Sequence, residues 1–148
     1  MRHSYRRDRI SAIGCITASP SRRRLGLYTR FHSKNICGAQ VIEFLRHLLR
    51  HLRGHVVVVW DGGKIHRSQE VVAFLGSQSR LHAHRFPSYA PELNPQEQVW
   101  THGKRDLSNS VHEGLDTLGP DLRRSIRRVR GSQQLLRSCI EHAELSWP

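Results

Sequence analysis

His55-Val-Val-Val-Val-Trp60-Asp61 is a continuous run of apolar, mostly β-branched residues that ends in an acid, and Gly62-Gly63 follows it directly. Such a run predicts a central β-strand that is buried on both faces of a sheet. The two glycines predict an abrupt end to this strand. Asp61 is therefore expected at the carboxyl end of a buried strand, where ligands and catalytic groups gather in open α/β sheets.

The segments around this strand alternate between strand-like and helix-like patterns. Ile10–Ser19 and Leu25–Phe31 predict a β-hairpin, and Leu81–Phe86 predicts a further short strand. Apolar stripes predict helices at Gln40–Arg53, at His66–Leu75, from Asn94-Pro95-Gln96-Glu97 onward, from Gly119-Pro120 onward and at Gln133–Leu145. A hairpin combined with a helical crossover predicts an α/β fold with a mixed sheet and flanking helices.

The chain has 148 residues, which suits one domain, and its formal charge is +12. We expect a basic segment at 1–9, an α/β core at 10–110 and basic C-terminal helices of the same domain at 111–148. A charge this positive on a small domain predicts a polyanionic partner, most often nucleic acid. Charge alone leaves open an unrelated basic protein, such as a ribosome-associated one.

The cysteines, the histidines and the apolar runs exclude several other classes of protein. Cys15, Cys37 and Cys139 are far apart, so they predict neither a disulfide framework nor a metal motif, and a reduced, intracellular setting is expected. His82 and His84 are expected on one face of a strand, without a third zinc ligand nearby. No apolar run could cross a membrane and no signal core follows the N-terminus, which predicts a soluble, cytoplasmic protein with no membrane partner.

Asp61 and Glu97 are the two acids whose positions suggest chemistry. Each also has a structural explanation, because Asp61 could cap the Gly-Gly turn and Glu97 could complete a capping box with Asn94. The two acids are separated by 35 residues (97 − 61 − 1) that contain a predicted helix and strand. Such a crossover can return the chain to the same end of the sheet. Two carboxylates meeting there would suit a hard cation such as magnesium, beside a surface basic enough to hold a phosphodiester.

Two stretches around these acids resemble the signatures of bacterial insertion-sequence transposases of the mariner superfamily. Trp60-Asp-Gly-Gly-Lys-Ile-His-Arg-Ser68 is similar to their Asp-Asn/Gly-x-x-x-His motif. Phe86-Pro-Ser-Tyr-Ala-Pro-Glu-Leu-Asn-Pro-Gln-Glu-Gln-Val-Trp100, with Lys104 four residues later, is similar to their longer second signature. The resemblance covers about residues 9 to 145. It implies a DDE endonuclease with a ribonuclease H-like core.

The resemblance also implies a chemistry and the residues that perform it. In that family three acids bind two divalent ions, Mg²⁺ or Mn²⁺, that activate water or a DNA 3′-hydroxyl for attack on a phosphodiester. Asp61 corresponds to the second catalytic, metal-binding acid and Glu97 to the third. The implied partners are DNA, as transposon ends and target, and further copies of the chain in a homo-oligomer. DNA-binding residues, some of which could orient the acids instead, are expected at Lys104, His66, Arg67, Arg123, Arg124, Arg127 and Arg128.

For His66 a packing role at the start of its helix stays open as an alternative. The chain also departs from this family at several positions. The first acid is expected on a strand ahead of Ile10, and Asp8, the one acid there, lies among arginines without an apolar strand around it. Gly62 and Gly103 stand where many relatives have Asn and Leu.

These departures predict the C-terminal part of a transposase, truncated at the N-terminus. Its mixed sheet would lack the first strand, which would leave an unpaired edge on the hairpin. The expected function is metal-dependent DNA cleavage and strand transfer in DNA transposition, with reduced or absent activity in this form. The alternative is a non-catalytic remnant that still binds nucleic acid.

Overall fold

A computed structural model of the chain describes residues 10–20, 24–108 and 115–143. The order of elements is hairpin, helix, strand, helix, strand and then three helices, which confirms the α/β class. The strands are β1 Ser11–Ser19, β2 Arg24–His32, β3 Val56–Trp60 and β4 Leu81–Arg85. The helices are α1 Gly38–His51, α2 Gln69–Ser77, α3 Gln96–Ser108, α4 Leu115–Arg130 and α5 Gln133–His142. Short 3-10 helices lie at Lys64–Arg67 and Pro91–Leu93.

The strands form two pairs of opposite orientation. β1 and β2 are antiparallel, with Ser11 opposite His32 and Ser19 opposite Arg24. β3 and β4 are parallel, with Val56 beside Leu81, and α2 makes the crossover between them. Within the described ranges no ladder of hydrogen bonds joins the two pairs, so each is a separate two-stranded sheet.

Two apolar cores lie against these pairs, and the hairpin contributes to both. The first packs Leu25 and Leu27 of β2 against helices α3, α4 and α5. The second packs α1 and α2 against β3 and β4, and Ile13, Cys15 and Tyr28 of the hairpin join it. Residues of opposite parity on one strand therefore face different cores, as the period of two predicts. The hairpin thus connects the two halves of the fold.

The prediction that β3 is buried on both faces was wrong. Val56, Val58 and Trp60 pack on the second core, but Val57 is 62% exposed and Val59 is 47% exposed. His82 and His84 lie beside these two valines in the parallel register and are exposed as well, so they share one face as predicted. The reason is that β3 pairs with β4 alone in the described part of the chain, and no described element covers this outer face.

Two helix boundaries also differ from the prediction. The chain after Gly63 makes a 3-10 turn, and α2 begins only after Ser68, whose side chain accepts a hydrogen bond from the Val71 amide. Helix α4 begins at Leu115, so Pro120 lies inside the helix instead of at its first position. Ser68 is a residue type that favours helix starts and caps α2, whereas Pro120, which favours the first position of a helix, lies within α4.

The three cysteines lie in different environments. All three cysteines are free: Cys37 is exposed, Cys139 is buried, and Cys15 packs against the second core. None of the helices in the described ranges is both long enough and apolar enough to cross a membrane.

Candidate active site

Asp61 directly follows β3, and it lies at the edge of the sheet where β4 also ends. Trp60 pairs with Arg85, and the amide of Phe86 donates a hydrogen bond of 2.8 Å to the carbonyl of Trp60. The turn that carries Asp61 and the loop that leads to Glu97 therefore start side by side. The parallel register of β3 and β4 produces this neighbourhood, because parallel strands end at the same edge.

The Asp61 carboxylate is held by its own turn and still faces solvent. Its Oδ1 accepts a hydrogen bond of 3.0 Å from the Gly63 amide and lies 3.3 Å from Nε2 of His66. Its side chain is nevertheless 65% exposed. A Cβ atom at Gly63 would lie 3.0 Å from Oδ1, so a larger residue would crowd the carboxylate. The turn-capping role is real, and it uses only one of the two oxygens.

His66 lies between Asp61 and the apolar core. Its ring stacks on the indole of Trp60, with centroids 4.3 Å apart and planes 13° from parallel. Burial lowers the pKa of His66, and the nearby Asp61 carboxylate opposes that shift only in part. A neutral imidazole therefore faces the carboxylate. Its side chain is 15% exposed, so His66 is better placed to contact Asp61 than to reach a DNA backbone.

Glu97 lies in the first turn of α3 and is exposed. Asn94 caps this helix as expected, since its Oδ1 accepts a hydrogen bond of 3.1 Å from the amide of Gln96. The second half of a capping box is not formed, because the Asn94 amide donates instead to the carbonyl of Pro91. Among the described residues the Glu97 carboxylate has no hydrogen-bonding partner, so the capping alternative does not occupy it.

The predicted DNA-binding residues fall into two groups by their contacts. Lys104, Arg67 and Arg127 are exposed and make no ion pair with any described residue. Lys104 and Glu97 are both exposed on α3, two turns apart, while Val99 and Gly103 between them are buried.

The other four arginines of α4 already contact protein groups, and Arg130 donates hydrogen bonds of 2.9 Å to the Leu27 carbonyl and to the Thr29 hydroxyl. Arg123 lies over the ring of Phe31 at 5.8 Å, and Arg124 is 3.4 Å from Asp121. Arg128 binds both carboxylate oxygens of Asp106, at 2.9 and 3.2 Å. Arg127 is therefore the α4 arginine that could bind a phosphate without giving up a contact inside the described structure.

Comparison of the sequence with known protein families identifies its family. A model described as DDE superfamily endonuclease matches residues 1–119. The chain belongs to this DDE endonuclease family. No curated protein matches the sequence.

Solved structures similar to this DDE-family chain include mariner and viral proteins. The catalytic domain of Mos1 mariner transposase matches with a TM-score of 0.53 and 11% identity, over 94% of this chain and 83% of that one. The Mos1 mariner paired end complex with Mn matches with a TM-score of 0.54 and 14% identity, over 91% and 44%.

A chain of the simian T-cell lymphotropic virus intasome, in complex with PP2A regulatory subunit B56 gamma, matches with a TM-score of 0.52 and 16% identity. That match covers 80% of this chain and 47% of the viral one, so this chain spans about half the length of that relative. At such identities the likeness concerns the fold, and it confirms the expected ribonuclease H-like class.

Asp61 and Glu97 suit a divalent metal ion in their chemistry. Carboxylate oxygens are the preferred ligands of Mg²⁺ and Mn²⁺, and both Asp61 and Glu97 keep free oxygens at the surface. In the part of the chain that the structure describes, however, no three His, Cys, Asp or Glu side chains come together as a metal site. The described acids therefore fit the ion as donors and do not form a complete coordination sphere. Asp8 lies outside the described residues.

Sequence reasoning missed a polar contact that joins helices α3 and α4. Asp106 of α3 accepts a hydrogen bond of 2.5 Å from Ser125 and binds Arg128, both on α4. Gly103 lies in the same interface, where an added Cβ would be 3.2 Å from Leu122. The unusual glycine is thus explained by a close approach of α4 to α3. The signal available in the sequence was the acid Asp106 on one predicted helix and Ser125 and Arg128, three residues apart, on the next.

Proposed function

We propose that the chain acts in DNA transposition as a metal-dependent endonuclease, with Asp61 and Glu97 as metal-binding, catalytic acids. The observation that carries the proposal is the state of these two carboxylates. Asp61 is fixed by Gly63 and His66 with one oxygen still free, and Glu97 is free of the helix cap that could have occupied it. Both acids therefore offer solvent-facing oxygens to an external ligand.

Each residue of the proposed site has a task that its surroundings suit. Asp61 and Glu97 would hold Mg²⁺ or Mn²⁺, which supplies activation of the attacking oxygen and stabilisation of the leaving oxygen. His66, whose ring stacks on Trp60, orients the Asp61 carboxylate. Lys104 lies on the same exposed face of α3 as Glu97 and would bind a phosphate beside it. The substrate would be the DNA of transposon ends and target, held by further copies of the chain.

The Arg-rich face of α4 would bind the DNA backbone outside the catalytic centre. Arg127 has no competing ion pair among the described residues, and its neighbours Arg123 and Arg124 are exposed. Each phosphate contact that is lost should reduce the salt dependence of binding by about one unit of slope. Arg127→Ala should therefore lower both affinity and salt slope, whereas Arg128→Ala should mainly loosen the contact between α3 and α4.

A second function is favoured by one observation. Since no three potential metal ligands meet in the described ranges, the chain alone could bind nucleic acid without cleaving it. Such a remnant would use the same basic helix. Its binding to DNA would not require a divalent ion.

Nicking of a supercoiled plasmid separates these functions. Purified protein is incubated with plasmid and Mn²⁺ or Mg²⁺, beside Asp61→Asn, Glu97→Gln and the matched control Glu43→Gln, which neutralises an exposed acid on α1. The endonuclease proposal expects nicking by the wild type and the control, and none by the other two. Equal nicking by all four proteins would refute the assignment of the acids. Salt-dependent gel shifts without any nicking would leave the binding function.

The role of His66 is tested by metal affinity. Removing a side chain that orients a metal ligand commonly weakens metal binding or activity by about 10–100-fold. His66→Ala should weaken Mn²⁺ binding in this range, while a gel shift measured without metal should stay unchanged. Loss of the metal-free gel shift would show that His66 contacts DNA instead.

A further inference from the structure

Tyr89 has an unusual combination of backbone shape and exposure. Its φ angle is +59°, and within the described residues it is the one non-glycine in the left-handed region. Its exposure is 101%, and no other Phe, Trp or Tyr of the described chain is in the exposed class. Bulky side chains are rare in this backbone region, where Gly and Asn fit better. A strained, fully exposed aromatic is a reason to look for a ligand.

The loop around Tyr89 is stiff. Pro87 and Pro91 flank it at two residues on each side and fix their own φ angles. The 3-10 turn Pro91–Leu93 follows, with the Leu93 amide donating a hydrogen bond of 3.1 Å to the carbonyl of Ala90. The ring is therefore presented on a rigid support, which reduces the entropy that a ligand must overcome.

The loop also lies at the edge of the sheet that carries Asp61. Tyr89 is three residues beyond Phe86, whose amide contacts the carbonyl of Trp60, so its Cα is at most about 11 Å from that of Phe86. Basic side chains share this edge: Lys64 and Arg67 follow Asp61, and Arg85 ends β4. All three are exposed and form no ion pair with another described residue.

We propose that Tyr89 stacks on an unpaired DNA base beside the proposed cleavage site. The inference rests on the proposed function, which it deepens by naming an unpaired nucleotide as part of the substrate. A base offers the flat, uncharged face that an exposed tyrosine ring binds, and the phosphates beside it suit the three basic side chains. A protein partner would need a broader apolar surface. The other exposed large apolar residues of the described chain, Val57, Val59 and Val72, are not on this loop.

The test uses duplex DNA with a short single-stranded extension that contains the fluorescent base 2-aminopurine, and a blunt duplex as the reference. Stacking on the tyrosine ring should quench the fluorescence of the extension when wild-type protein is added. Tyr89→Gly removes the ring and also relieves the backbone, so misfolding does not explain a loss of binding. Tyr89→Phe keeps the ring and is the matched control.

The expected result is loss of quenching in Tyr89→Gly, with affinity for the extended duplex lower by about five- to a hundredfold. Affinity for the blunt duplex should be the same in all three proteins. Equal quenching and affinity in Tyr89→Gly and wild type would overturn the stacking proposal while DNA binding stands. If the wild type binds neither DNA, the proposed function itself fails.

Discussion

Threonine substitutions along β3 test the finding that this strand has one covered face. Valine and threonine have nearly the same shape and both suit strands, so the change is mainly a methyl group replaced by a hydroxyl. At Val57, which is 62% exposed, the hydroxyl stays in water, and the free energy of unfolding should change by no more than about 0.5 kcal/mol. At Val58, which packs on the second core, an unsatisfied hydroxyl should cost about 1–3 kcal/mol.

Urea unfolding followed by circular dichroism measures both variants against the wild type. With a slope of about 1–3 kcal/mol per molar urea, a loss of about 2 kcal/mol in Val58→Thr lowers the midpoint by about 1 M. Val57→Thr should leave the midpoint within about 0.3 M of the wild type. If Val57→Thr lowers the midpoint as much as Val58→Thr does, the outer face of β3 is covered and our account of this strand is wrong.

Three further outcomes follow from the described contacts. Burial raises the pKa of Cys15 to about 12, so its thiol should not react with iodoacetamide at neutral pH until urea unfolds the chain. The exposed Cys37 should be labelled in the folded protein, and labelling of both cysteines at one rate would contradict this. Burial and nearby arginines lower the pKa of His102 below 6.5, so the unfolded chain binds the proton more readily and stability should fall as the pH drops below about 6.5. His102→Gln should flatten that fall, and unchanged slopes in urea titrations between pH 7 and 5 would count against it. Gly103→Leu should cost about 1–3 kcal/mol because its side chain would meet Leu122, and an unchanged thermal midpoint would refute the close helix approach.

The elements with a clear period were predictable from the sequence. The hairpin strands were expected at Ile10–Ser19 and Leu25–Phe31 and lie at Ser11–Ser19 and Arg24–His32. The first strand was predicted from its apolar, partly β-branched run ahead of Pro20, and the second from the alternation of Leu25, Leu27 and Phe31 with other residues. Amphipathic α1 was predictable because its apolar stripe packs on a single core.

The burial of β3 could not be read from its own residues. A run of valines is compatible with a strand covered on both faces and with one covered on a single face. Which applies depends on whether another segment packs on Val57 and Val59, and that is decided by distant parts of the chain. The predicted start of α4 was also wrong. Pro120 favours the first position of a helix, but the helix extends back to Leu115.

The two acids of the site were predictable from the sequence, whereas the contacts of the residues around them were not. The motifs around Asp61 and Glu97 identified both residues, whereas the stacking of His66 on Trp60 joins residues six apart through a turn whose shape the sequence left open. The contact of Asp106 with Arg128 spans two helices, so it depended on how those helices pack.

The difference between the two acids lies in which backbone groups compete for them. Glu97 would complete a capping box only if the Asn94 amide were available, but that amide is already satisfied by the carbonyl of Pro91. The 3-10 turn before the helix therefore leaves the glutamate carboxylate free. Asp61 does accept a turn amide, from Gly63, and this fixes one oxygen while the other faces solvent. One acid is oriented by a cap and the other is released from one, and in both cases the local turn leaves lone pairs for an external ligand.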